Sequence, residues 1–148
     1  MKLEDEILSK FRNEAHKARL NVYYTHNFLG EKMQKLVKSY GITATQYNIL
    51  RILRGQSTKT ASVGTIKERM IENNSDVSRI LDRLLIKELI ERKESKTDRR
   101  QKDVKINYAG LDLLKKMDSC EASLDELLSN LSENERIELN RLLDKIRE

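Results

Sequence analysis

The sequence predicts a mainly α-helical fold carrying a single β-hairpin, on three observations. Proline is absent and only five glycines punctuate 148 residues, so nothing forbids long helices. Val77, Ile80, Leu81, Leu84 and Leu85 fall on one helical face, while Ser75, Arg79, Asp82 and Arg83 fall on the other. The runs 89–94 and 104–106 read as strands, because Ile90, Val104 and Ile106 can point one way while Lys and Arg flank them. The polar segment 95–101 between them is a loop.

From the N-terminus, Leu3, Ile7, Phe11, Ala15, Ala18 and Val22 recur at steps of three or four. The pattern continues after Gly30 through Met33, Leu36 and Val37 to Tyr40-Gly41. This reads as one very long helix, bent near Gly30 and closed by a left-handed C-cap at Gly41. Thr43-Ala44-Thr45-Gln46 has capping-box spacing and opens a second helix that runs to about Arg54-Gly55. The polar stretch 56–61 reads as a connecting loop. Ser62 then caps a short helix through Ile66 and Met70, and a tight turn at 72–74 leads into the helix of the opening observation. Helix, turn, helix and hairpin in this order make a winged helix-turn-helix, the hairpin being the wing.

The C-terminal third has another rhythm. Leu113, Met117, Cys120, Leu124, Leu127 and Leu131 form a heptad seam suited to pairing with a second long helix. Ser132-Glu133-Asn134-Glu135 is another capping box, before a last helix striped by Leu139, Leu142, Leu143 and Ile146. The chain thus divides into an N-terminal dimerisation helix (1–41), a winged region (42–107) and C-terminal dimerisation helices (108–148), within one compact domain. Two readings of the terminal stripes stand: closure on each other within one chain, or closure against a second copy. The second is preferred, because a thin helical layer buries its stripe poorly alone.

Net charge of +5 and a pI near 9.3 favour polyanionic partners. The 87–105 segment concentrates that charge, with eight Lys or Arg against five Asp or Glu. Adjacent Arg99 and Arg100 at its tip offer planar forks of donors that fit phosphate oxygens or base edges. No apolar run approaches the ~20 residues that span a bilayer, and the first residues lack the apolar core of a signal peptide. The expectation is a cytoplasmic protein without a membrane partner. One cysteine, Cys120, excludes an internal disulfide and an all-cysteine metal site, and is read as a packing residue. His16 and His26 are too far apart along a helix to share one ion, so neither metal nor cofactor is expected. No Gly-rich phosphate loop or nucleophile elbow occurs, which excludes the commonest enzyme classes.

The segments 41–50 and 98–110 resemble the MarR family of bacterial transcription regulators, and nearly the whole chain fits. The family's wing pattern falls on Asp98, Arg100, Val104, Ile106, Asn107 and Gly110, with Asn107 where Thr is usual. Lys67 stands where the family usually has a small residue. Cys120 lies outside the N-terminal helical region in which the oxidation-sensing branch places its reactive cysteine. The resemblance implies a homodimer on a pseudo-palindromic operator of double-stranded DNA, often released by a small ligand.

Asn74, Ser75, Ser78, Arg79 and Arg83 are accordingly expected to face the major groove, with Arg79 positioned for guanine. Lys96, Arg99, Arg100 and Lys102 are expected on phosphates or in a minor groove, with Asp98 bracing the loop. Tyr23, Tyr24, Phe28 and Tyr47 read either as core or as a pocket for a small aromatic or phenolic effector. The rival from another class is a winged-helix protein–protein interaction module without specific DNA binding. The convergence of Ser75, Ser78, Arg79 and Arg100 on one exposed face argues against it.

Overall fold

The computed structural model describes residues 2–7, 10–56, 60–71, 76–94 and 102–148, of which the side chains of Glu94, Lys102 and Cys120 are left aside. The chain folds as a winged helix-turn-helix bracketed by helices. The order is α1 (Leu3–Ile7), α2 (Glu14–Lys38), α3 (Ala44–Arg54), α4 (Val63–Arg69), α5 (Val77–Ile86), β1 (Ile90–Glu94), β2 (Lys102–Ile106), α6 (Tyr108–Asp125) and α7 (Glu133–Ile146). A 3-10 turn at Glu126–Leu128 follows α6.

Helix α3 is the hub, touching α2, α4, α5, α6 and β2. It is amphipathic, and its Tyr47, Ile49, Leu50 and Leu53 are buried. Val37, Ile66, Leu81, Leu84, Val104, Leu114 and Met117 close around them into one core. The capping box at its start is formed as the spacing requires. The Thr43 hydroxyl oxygen accepts from the Gln46 N–H, and Gln46 Oε1 accepts from the Thr43 N–H at 3.0 Å.

The long N-terminal helix is two helices. Residues 10–13 are not helical, Asn13 turns extended and accepts the His16 N–H at 2.8 Å, and α2 runs unbroken through Gly30. A side-chain oxygen that satisfies an orphan N–H starts a new helix even where apolar spacing runs on. Glycine at an exposed helical position costs only ~1 kcal/mol, too little to bend α2 unaided. At the far end Gly41 takes φ +73°, the left-handed turn expected of it.

The hairpin pairs Ile90 with Ile106, Arg92 with Val104 and Glu94 with Lys102. The alternate pairs, Glu91 with Lys105 and Lys93 with Asp103, also oppose charge to charge, so electrostatics and burial select the same register. The connection before α4 is more than a loop. Ala61 exchanges both backbone hydrogen bonds with Val104 at 2.8 Å and is buried, adding a one-residue third strand.

Asn107 caps α6 by accepting from Gly110 N–H at 2.9 Å, and its amide ties that helix start to the turn before β1 by donating to the Glu88 carbonyl at 2.7 Å. Gly110 is required there, since a Cβ would stand 2.3 Å from the Leu89 carbonyl oxygen. Along α6 the core face carries Leu114 and Met117, with Leu113 only half-buried. The heptad seam is therefore rotated from its expected place, because the first turns of α6 pack on α3 in the same chain. Leu131 lies beyond the helix altogether. Helix α7 has no buried residue, and Ile137, Leu142 and Ile146 are exposed. Its stripe does not close within the chain.

Candidate nucleic-acid interface

Helix α5 presents the face that the sequence marks out. Val77, Leu81 and Leu84 are buried, at steps of four and three, while Ser78, Arg79, Asp82 and Arg83 are exposed. Asp76 caps the helix by accepting the Arg79 N–H at 3.2 Å. The Arg79 side chain is 73% exposed and lies 3.8 Å from the Asp76 carboxylate, a loose contact that leaves its guanidinium donors in solvent. Arg83 has no carboxylate partner among the described residues.

The acidic residue on this face is neutralised from the wing. Arg92 Nη2, on β1, lies 2.7 Å from Asp82 Oδ1, and the Arg92 side chain is only 25% exposed. The pair ties the outward face of α5 to the hairpin and removes a negative charge that would repel phosphates. Sequence reasoning overlooked Arg92. Its place on the same β1 face as buried Ile90, directed back over α5, was the available signal. Thr60 Oγ1 donates to Asp103 Oδ2 at 2.9 Å, bracing β2 on its other side.

Of the remaining expected contacts, Asn74, Ser75, Lys96, Arg99 and Arg100 lie outside the described residues, as does Asp98. Lys102 opens β2 opposite Glu94. The four aromatic residues are spread over different surroundings. Tyr24 and Phe28 line a cavity of about 270 Å³ with Lys2, Leu3, Glu6, Asn21 and Thr25, which includes neither Tyr23 nor Tyr47. Tyr24 donates its hydroxyl to Glu6 at 2.7 Å, and that carboxylate holds the phenol above its ordinary pKa. Tyr47 is instead buried between α3 and α6. Burial first, and then its 2.7 Å hydrogen bond to Glu121, push its phenol well up. Arg51 pairs with the same Glu121 at 3.1 Å and Arg54 with Asp118 at 2.6 Å, so α3 is anchored to α6 by charge as well as packing.

Residues 42–102, from the start of α3 to the start of β2, match the model of the MarR family. The winged region is similar to the MarR family. Relatives along most of the chain agree. It is 29% identical over 108 residues to the HTH-type transcriptional regulator MhqR of Bacillus subtilis, covering 72% of this chain and 73% of that protein. A MarR transcription factor from Planctomyces limnophilus is 28% identical with a TM-score of 0.71, covering 91% of this chain and 98% of its own. A mutant MarR from Escherichia coli, solved with operator DNA, superposes with a TM-score of 0.81 at 24% identity, covering 93% and 99%, and shows the shared fold. These similarities support a DNA-binding transcription regulator with a winged helix-turn-helix. Among the described residues no three His, Cys, Asp or Glu gather as a metal site, and no helix is long and apolar enough to cross a membrane.

Proposed function

We propose that this chain is a cytoplasmic repressor of the MarR family that binds a pseudo-palindromic operator as a homodimer, reading base edges with α5 and gripping phosphates with the wing. The reading is carried by the outward face of α5. Ser78, Arg79 and Arg83 stand exposed on a helix whose opposite face is sealed in the core, and the one carboxylate among them is neutralised by Arg92. A helix anchored in this way can enter a major groove as a rigid body. Asn74 and Ser75, which precede Asp76 in sequence, are assigned to base reading in the same proposal. Lys96, Arg99, Arg100 and Lys102 supply sequence-independent affinity. The exposed stripes of α7 and of α2, where Val22, Tyr23 and Phe28 face outward, support closure against a second copy.

Substitution Arg79→Ala tests the assignment. A bidentate contact to guanine is worth ~1–3 kcal/mol of discrimination, so operator affinity should fall about 5- to 150-fold while affinity for random duplex changes little. Equal losses on the two DNAs would remove Arg79 from base reading.

A further inference from the structure

Helices α3 and α6 meet along two stripes of the same spacing. Tyr47, Leu50, Arg51 and Arg54 recur at steps of three, one and three on α3, and Leu114, Met117, Asp118 and Glu121 do so on α6. Glu121 reaches Tyr47 and Arg51 while Asp118 reaches Arg54, so the two helices run antiparallel. Leu50, Leu114 and Met117 are buried in the common core. Beyond Met117 no described residue of α6 is buried, and the contact turns polar. One oxygen of Glu121 accepts from the Tyr47 hydroxyl at 2.7 Å and lies 3.1 Å from Arg51 Nη1, whose guanidinium stands 5.8 Å from the Tyr47 ring centre. Arg54 Nη1 donates to Asp118 Oδ1 at 2.6 Å.

The side chains of both ion pairs are 36–55% exposed, so water competes with them and they add little to folding. What they supply is direction. Apolar packing tolerates sliding and rocking, whereas charge-assisted hydrogen bonds weaken steeply away from their preferred angle. Asp118 and Glu121 stand ~4.5 Å apart along the helix axis, and two such points of attachment fix both the height and the tilt of α6 on α3. We infer that Asp118 and Glu121 are positioning residues, whose bonds to Arg54, Arg51 and Tyr47 set the angle between the winged region and the C-terminal helices, and with it the half-site spacing that a dimer accepts. The spacing half of the inference rests on the DNA reading above; the joint itself does not. One added base pair shifts a half-site by ~3.4 Å and rotates it by about a tenth of a turn, which a rigid joint rejects and a loose one tolerates.

Asp118→Asn combined with Glu121→Gln removes both charges while keeping an amide oxygen for the Tyr47 hydroxyl. Two measurements on the full-length protein read the result. The first needs no DNA: spin labels at Lys93→Cys on β1 and Arg141→Cys on α7, both exposed, report the distance distribution between wing and C-terminal helix by pulsed electron resonance. A Cys120→Ser background and dilution with unlabelled protein keep the signal to one pair of labels. The distribution should broaden in the double variant. The second compares affinity for the inverted repeat that the protein selects, the same repeat with one base pair inserted, and a single half-site. Preference for the repeat over the half-site should fall about tenfold, part of the gain that linked modules draw from fixed geometry, and the penalty for the insertion should shrink. Added positive charge raises affinity for every duplex, so these ratios isolate the joint. Arg54→Asp should act likewise, and adding Asp118→Arg to it should restore the ratios. An unbroadened distribution would overturn the joint. A broadened one with the ratios intact, or with half-site affinity falling as far as that for the repeat, would overturn the positioning role. If the distribution broadens in a protein that binds no duplex, the joint stands and the DNA reading falls.

Discussion

Neutralising Asp82 and removing Arg92 should move DNA affinity in opposite directions. The Arg92 Nη2 to Asp82 Oδ1 distance of 2.7 Å joins a half-exposed carboxylate to a mostly covered guanidinium. Solvent limits what this pair adds to folding, and a coupling of about 0.5–1 kcal/mol is expected from a cycle of thermal melts. Its larger consequence is electrostatic. Without Arg92, the Asp82 charge faces phosphates across a groove. At ~10 Å in water one such repulsion is ~0.4 kcal/mol, and two or three phosphates bring the sum to about 1 kcal/mol at low salt. Arg92→Ala should therefore weaken binding to operator and random duplex alike, by about two- to fivefold. Asp82→Ala should strengthen random-duplex binding and steepen the slope of log affinity against log salt by up to about one unit, because Arg92 is freed for phosphate. The double substitution restores the original net charge and should return close to the parent. Fluorescence anisotropy of labelled duplexes over a salt series measures all four proteins. If Asp82→Ala weakens operator binding selectively, Asp82 is itself a base contact and the neutralisation argument is wrong.

Three further outcomes follow from the packing. Gly110→Ala forces a Cβ onto the Leu89 carbonyl oxygen and the Ile106 side chain, so a loss of ~1–3 kcal/mol is expected in denaturant unfolding, and an unchanged midpoint would contradict the close approach. The raised pKa of Tyr47 means that its stabilising effect is complete below the ordinary tyrosine value of 10.0 and is lost as pH climbs above it. Absorbance titration should thus show Tyr47 ionising only with alkaline unfolding, and Tyr47→Phe should lessen the fall in stability above that pH. Deleting residues 132–148 removes the exposed stripe of α7 and should leave monomers or aggregates by light scattering, whereas a soluble dimer of unchanged operator affinity would place the dimer contact elsewhere.

The winged half of the molecule was legible because each of its elements has one partner layer and a short period. Val77, Leu81 and Leu84 point inward as their spacing requires, and Ile90, Val104 and Ile106 alternate as a half-buried hairpin must. Caps were equally readable, since Thr43 with Gln46, Ser62, Asn107 and Ser132 with Glu135 each form the bond their residue types favour. Periodicity failed where two surfaces compete for one helix. In α6 the chain's own core claims Leu114 and Met117, which turned the heptad seam away from its expected direction. It failed again at 10–13, where apolar spacing runs through a break that Asn13 sets by hydrogen bonding. The pairing of Asp82 with Arg92 and the anchoring of Tyr47 on Glu121 join residues far apart in sequence, and no local pattern announces them.

The central claim, a two-fold reader of specific duplex sequence, is tested most directly by selecting DNA from a random pool with the purified full-length protein and sequencing the enriched fraction. Two symmetry-related α5 helices should enrich an inverted repeat whose half-site centres lie about one helical turn apart, ~34–36 Å, or a multiple of it. A pool that stays random after repeated rounds, or that enriches a single unrepeated element, would contradict the account.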